Sequence, residues 1–141
     1  MLLHNVLMCL HQDGKRVQYK QRTRGEIVGI RDNFKRGSVE MLLLALLAEE
    51  DMYGYQLSQR ISERSEGAII IPEGSMYPTL YKLVDNRYIS DYKQQVGRRL
   101  TRVYYHIEPA GQAHLGELLA EYKIFSEGLL KVIGNRQEEQ K

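Results

Sequence analysis

The chain has 141 residues, 43% hydrophobic and 27% charged, enough for one ordinary domain plus an appendage and too apolar for disorder throughout. The net charge of +2 does not by itself point to nucleic acid, and a lone cysteine, Cys9, excludes an internal disulfide or a cysteine-based zinc cluster and suits a reducing cytosol. The longest apolar run, residues 41–48, is far short of the ~20 residues of a bilayer span, and the N-terminus lacks the basic flank and cleavage site of a signal peptide. A soluble, cytoplasmic protein without a membrane partner is expected.

Residues 1–33 are basic, with six Lys/Arg against three acids. Leu2, Leu3, Val6, Leu7 and Leu10 fit two or three helical turns ending near Asp13-Gly14, followed by a polar stretch to Arg31. Three readings stay open for this extension: a native arm, residues added by an upstream translation start, or residues foreign to the protein. No function attaches to it.

Order begins near residues 33–37. Ser38 suits an N-cap, although Met41 at the third position cannot complete a capping box. Residues 39–48 are apolar nearly all round, as in a helix buried on most faces. A turn over 50–53 leads to a second helix with Tyr55, Leu57 or Ser58, and Ile61 at helical spacing, ending near Gly67. The β-branched run 68–71 reads as a short strand closed by Pro72. A third helix turns Met76, Leu80, Leu83 and Val84 inward and ends at Asn86. Pro78 sits near its start, where a missing N–H costs least. It loses nothing if Ser75 is the cap, and one bond to Gly74 if the helix begins nearer Glu73.

Residues 88–92 and 102–107 are rich in aromatic and β-branched residues around Gly97, and predict a hairpin with a loop longer than two residues. Pro109-Ala110-Gly111 opens a last helix, on which Leu115, Leu118, Leu119, Tyr122, Phe125, Leu129, Val132 and Ile133 keep three/four spacing for about five turns. The expected fold is α+β, mainly α: a winged helix-turn-helix over 34–108, then a long C-terminal helix and polar tail over 109–141.

Charge is polarised within that frame. Residues 34–108 carry ten basic and ten acidic groups, yet 92–107 hold Lys93, Arg98, Arg99 and Arg102 with no acid. A helix followed by a basic hairpin is the pair of parts with which a winged helix grips duplex DNA. On the helix, Ser75, Tyr77 and Thr79 can donate to phosphates or base edges, Tyr81 lies beside them, and Lys82 supplies charge. Tyr55 can reach a phosphate at the start of the second helix or belong to the core. The arginines can equally be solvated hairpin residues, and Tyr77 can simply pack on Tyr55.

The strings Gly37-Ser38-Val39-Glu40-Met41-Leu42-Leu43-Leu44-Ala45-Leu46-Leu47, Tyr53-Gly54-Tyr55-Gln56-Leu57, Glu73-Gly74-Ser75-Met76-Tyr77-Pro78-Thr79-Leu80-Tyr81-Lys82-Leu83 and Tyr104-Tyr105 with Glu108-Pro109-Ala110-Gly111 resemble the PadR family of bacterial transcriptional regulators. The resemblance covers about residues 34–134 and looks like the shorter branch with one C-terminal helix. It implies a homodimeric repressor that pairs through its C-terminal helices, sets recognition helices in successive major grooves of a pseudo-palindromic operator, and is released by a small aromatic effector or another cellular signal. The chain departs from the family pattern at Pro72, where Ser is usual, and in a wing that runs Gly97-Arg98-Arg99-Leu100 without the usual proline.

The C-terminal stripe can fold back on its own domain as monomer core, but dimerisation is favoured, because one face of a helix this long exceeds what a small domain can cover; Leu42 and Leu46 would supply the other side. An effector pocket would lie between those helices, though the chain has no Trp to stack on an aromatic ligand. His106 and His114 do not fall at metal-ligand spacing with Cys9 or clustered acids, so no metal is expected. No nucleophile–base pair or phosphate loop suggests an enzyme or a cofactor. The alternative is a winged helix that binds protein through the same faces, which would not need a basic wing.

Overall fold

The structure, a computed structural model, describes residues 34–35 and 37–134, with the backbone alone of 8–10 and 16–18. The chain divides into two compact units, Phe34–Glu121 and a second formed by Met1–Asn33 with Tyr122–Lys141. In the second unit, strand β1 (Met8–Leu10) pairs antiparallel with β2 (Arg16–Gln18), Leu10 opposite Arg16. The helical turns expected to run through Leu10 are therefore corrected. Apolar spacing over so few residues does not separate helix from strand, and a helix of two or three turns is marginal alone. Leu2, Leu3, Val6 and Leu7 lie outside the described residues.

The Phe34–Glu121 unit is built around helix α1 (Val39–Leu47), whose Leu43, Leu44, Leu46 and Leu47 are buried and which packs against the next two helices and the sheet. Ser38 holds the N-cap position, but its hydroxyl donates back to the Phe34 carbonyl at 3.2 Å and caps nothing. Strand β3 (Met52–Tyr53) follows, then α2 (Gly54–Arg64) with Leu57 and Ile61 inward. The Tyr53 N–H donates to Gln56 Oε1 at 3.2 Å, which tightens the entry into α2. Helix α2 closes by residue 65, two residues before the expected stop. Glu66 takes the first left-handed position (φ 53°), and Gly67 follows with its N–H on the Ser62 carbonyl at 2.8 Å.

Residues 68–71 form no strand. The Ile69 N–H is accepted by Ser65 Oγ at 3.0 Å and the Ile71 carbonyl is taken by Ser58 Oγ at 2.7 Å, so side chains of α2 satisfy this backbone and no strand ladder does. Its isoleucines divide: Ile71 is core, Ile69 packs partly against it, and Ile70 is exposed. The short strand of the sheet is β3, in the segment expected to be only a turn.

Helix α3 (Glu73–Asp85) starts from Pro72, so Pro78 is its sixth residue and leaves the carbonyl of the exposed Gly74 without its helical partner. Met76, Leu80 and Leu83 are fully buried. The helix ends in a left-handed turn at Arg87 (φ 60°), with Arg87 N–H to the Val84 carbonyl at 2.9 Å and Tyr88 N–H to the Leu83 carbonyl at 3.0 Å. Strands β4 (Ile89–Val96) and β5 (Leu100–Ile107) run longer than the aromatic segments suggested, and β5 is central in the sheet order β3-β5-β4. Helix α4 (Pro109–Ile133) begins against Tyr88, whose carbonyl accepts the Glu108 N–H at 2.9 Å. His114 stacks on the Tyr88 ring at 4.2 Å between centroids and its Nε2 lies 2.9 Å from Glu40 Oε1, joining α4 to α1.

Candidate nucleic-acid interface

The burial of Met76, Leu80 and Leu83 decides which face of α3 is left open. Gly74, Ser75, Pro78, Tyr81, Lys82 and Asp85 are exposed along it, while Tyr77 and Thr79 are half-buried at its margin. Of the residues expected to contact DNA from this helix, Ser75, Tyr81 and Lys82 thus share the outward face. Pro78 joins them, its exposed ring a donor-free surface in the second turn of the helix.

Tyr77 is differently placed. Its hydroxyl donates to Glu73 Oε1 at 2.5 Å, and its ring stacks on Tyr81 with centroids 5.9 Å apart, not on Tyr55. The Glu73 carboxylate bonded to it, helped by partial burial, pushes the phenol up to about 12, so the hydroxyl remains a donor committed to Glu73. The pair rests against the start of α2: a Cβ at Gly54 would lie 3.0 Å from the Tyr77 hydroxyl and 3.1 Å from Glu73 Oε1. Gly54 is there because α2 and α3 meet closely at that point. Sequence reasoning missed Glu73 and Gly54, though the i,i+4 spacing of Glu73 and Tyr77 was a usable signal.

Tyr55 is half-exposed at the first turn of α2, its hydroxyl accepting from Gln59 Nε2 at 3.0 Å, so it is not core. Beside it, the Arg102 guanidinium lies 4.4 Å from the centre of the Tyr53 ring, a cation–π contact that brings a charge to the N-terminus of α2. Tyr53 in turn meets Tyr104 edge-on at 5.5 Å, and Tyr104 stacks on Tyr92, its cross-strand partner, at 5.7 Å. Below this aromatic row, Asp51 accepts from the Tyr92 hydroxyl at 2.8 Å and pairs with His106 Nδ1 at 2.7 Å. Hydrogen bonding to Asp51 raises the His106 imidazole above its ordinary range, while burial of Asp51 is outweighed by the His106 and Tyr92 bonds and its carboxyl is held low.

Arg98 and Arg99 are exposed in the three-residue loop 97–99, where Gly97 (φ 78°) makes the turn between Val96 and Leu100. Lys93 is exposed along β4. The open face of α3, where Asp85 offsets Lys82, thus bears hydroxyls, and the wing with Arg102 at the start of α2 carries the positive charge of this small domain.

The residues expected at a dimer interface divide. Leu46 and Leu115 are buried in the domain's own core, at 5% and 9% exposure, and Leu42 and Leu118 pack partly against it, which leaves them little surface to share. Leu119 is half-exposed. Within the second unit, Tyr122, Phe125, Leu129, Val132 and Ile133 are exposed, Phe125 to 68% and Val132 to 89%. Ile124 and Leu130 add to this apolar surface. Among the described residues no helix is long and apolar enough to cross a membrane, and no three His, Cys, Asp or Glu side chains converge as a metal site.

A model of the PadR-like family of transcriptional regulators matches residues 43–117, from within α1 through the wing into α4. The chain belongs to that family. It is 33% identical over 84 residues to the transcriptional regulator Rv3488 of Mycobacterium tuberculosis, spanning 60% of this chain and 75% of that protein. A Clostridium thermocellum transcriptional regulator superposes with a TM-score of 0.67 at 28% identity, over 72% of this chain and 99% of its own. Bacillus subtilis PadR, crystallised in complex with operator DNA, shares the fold with a TM-score of 0.53 at 24% identity, over 57% of this chain and 45% of its own. The fold is the family's winged helix-turn-helix with a long C-terminal helix, and the family is one of regulators, not of enzymes. For a PadR-like regulator, the Tyr53-Gly54-Tyr55 and Glu73-to-Tyr77 strings acquire a physical account: they are the two sides of the α2–α3 contact at Gly54.

Proposed function

We propose that this PadR-like regulator is a homodimeric repressor that holds a pseudo-palindromic operator with α3 in the major groove and the wing alongside, and lets go on a small-molecule or other cellular signal. The observation that carries the reading is the open face of α3, with Ser75, Tyr81 and Lys82 exposed, preceding a wing whose residues 92–107 contain four basic groups and no acid. Hydroxyls and one ammonium suit base edges and phosphates; arginines at a hairpin tip suit the backbone and the narrow groove. Arg102 on Tyr53 and the exposed Tyr55 extend the cationic surface to the first N–H groups of α2. Tyr77 enters as the strut that sets Glu73 against Gly54, and Thr79 as a marginal contact. The operator complex of the Bacillus subtilis relative supports the choice of duplex DNA as partner. A protein of this kind works in the cytoplasm, with the genome.

Dimerisation is supported by the exposed apolar side chains of α4, which a second copy of the same helix would cover; a two-fold dimer then matches a two-fold operator. The division of the chain into an extension to 33, a DNA-binding body to 108 and an assembly segment beyond follows from that assignment.

Fluorescence anisotropy on the DNA upstream of the protein's own gene and on scrambled DNA, across a salt series, tests the proposal. Tight, site-selective binding is expected. Absence of binding even at low salt would replace it with a module that binds protein through these faces.

A further inference from the structure

We propose, resting on the DNA-binding reading above, that the wing tip is a minor-groove wedge: Leu100, backed by Val96, presses into a flexible pyrimidine–purine step while Arg98 and Arg99 hold the groove around it. The ribbon is core only at its base. Ile89, Tyr105 and Ile107 are buried and Val103 packs against them, whereas the strands beyond Gln94 and Arg102 project into solvent. Leu100 stands at the far end, about four residues or ~13 Å along the strand from Tyr104. It is 51% exposed although Val96 is its cross-strand partner. Cross-strand packing accounts for the covered half of this side chain and nothing in the domain for the other half.

Charge names the occupant. The loop 97–99 beside Leu100 carries two exposed arginines, and no acid occurs from Tyr92 to Ile107, so the patch is an apolar tip within a positive collar. A minor groove about 6 Å wide with strong negative potential fits that pattern, as it admits one apolar side chain between flanking cations. Pyrimidine–purine steps unstack most easily, so a wedge prefers them without hydrogen-bonding to either base. The wing would then contribute sequence preference by deformation, added to the readout by α3.

The test uses the full chain and a duplex it selects from a random-sequence library, carrying 2-aminopurine at successive A·T positions. The wild type is expected to raise 2-aminopurine fluorescence at one step beside the selected motif. Replacing that step by a stiffer one should weaken the wild type about tenfold. Leu100→Thr, which suits a strand, should bind without the fluorescence rise and be indifferent to the step; Leu100→Met, which keeps an apolar tip, should retain both effects. A bound wild type with no rise at any position, or an equal rise with Leu100→Thr, overturns the wedge and leaves the DNA-binding reading standing. Failure to select or bind any duplex overturns both.

Discussion

Gly111 shows how narrowly a single backbone position can be specified. A Cβ there would fall 2.0 Å from the Tyr88 carbonyl oxygen, which already accepts the Glu108 N–H, so the first turn of α4 sits on the peptide that leaves α3. Neither side can yield without breaking that bond or moving the stacked Tyr88 and His114 rings. Gly111→Ala is expected to cost about 2–4 kcal/mol, read as a lower midpoint in chemical denaturation. Tyr77→Phe keeps the ring and removes the donor to Glu73. We expect a destabilisation of about 1–2 kcal/mol, as for a hydrogen bond to a charged partner, with reduced preference for the cognate duplex and unchanged binding to scrambled DNA at low salt. If selectivity survives removal of the hydroxyl, the pair is a structural bond alone. The Tyr77 hydroxyl closes on Glu73 one turn back in α3, a pairing that i,i+4 spacing allows; that the pair lies against Gly54 depends on how α2 packs and was not legible in the sequence.

At the scale of the element, the wing separates two contributions. Its tip is cationic and exposed, so Arg98→Ala should weaken binding to many sequences alike and flatten the salt slope by about one unit for each phosphate it no longer neutralises. Equal affinity of variant and wild type at every salt concentration would remove the tip from the interface. Its base is tied by Asp51, His106 and Tyr92. The raised His106 contributes stability that is complete below its unfolded value and is lost as pH rises through its folded value. The lowered Asp51 contributes stability that is present above its unfolded value and is lost as pH falls through its folded one. The base of the wing is therefore firmest between the carboxylate and imidazole ranges, roughly pH 4 to 6.5. Both groups are partly solvated, so the effect is a few tenths of a kcal/mol. His106→Ala should flatten the decline in melting temperature on the neutral side of that window, and an unchanged pH profile would deny the linkage. The length of the ribbon was not readable from composition: Lys93, Gln94 and Gln95 are poor strand formers, and they are extended because β5 offers them a continuous ladder.

For the whole molecule, the apolar side chains of α4 that lie exposed within the second unit set the main energetic question. In the proposed dimer, burying Tyr122 and Phe125 between copies would contribute several kcal/mol on area alone, at about 25 cal/mol per Å². Tyr122→Glu combined with Phe125→Glu should lower the sedimentation coefficient to that of a monomer and weaken operator binding, since half-sites would no longer be held together. An unchanged coefficient would place the interface elsewhere. The proposed effector should raise the melting temperature of the proposed dimer. No shift across a panel of phenolic and cationic aromatic compounds would argue against one.

What the sequence determined by itself follows from short-range rules. The inward stripe Met76, Leu80 and Leu83, the stop near Asn86, the glycine turn of the wing and the acid-free stretch around it are all set within a few neighbouring residues, where periodicity and charge act directly. The tertiary structure alone decided the rest. A strand exists only with a partner, so Met52–Tyr53, with no β-branched residue, became one by meeting Tyr104 and Tyr105, while the β-branched run 68–71 was satisfied by Ser58 of α2 and Ser65 at its end. A leucine on a helix faces whichever surface comes nearest, so Leu46 and Leu115 turned to their own core and Phe125 did not. Local preference fixes which groups can bond; only packing determines with which partner they do.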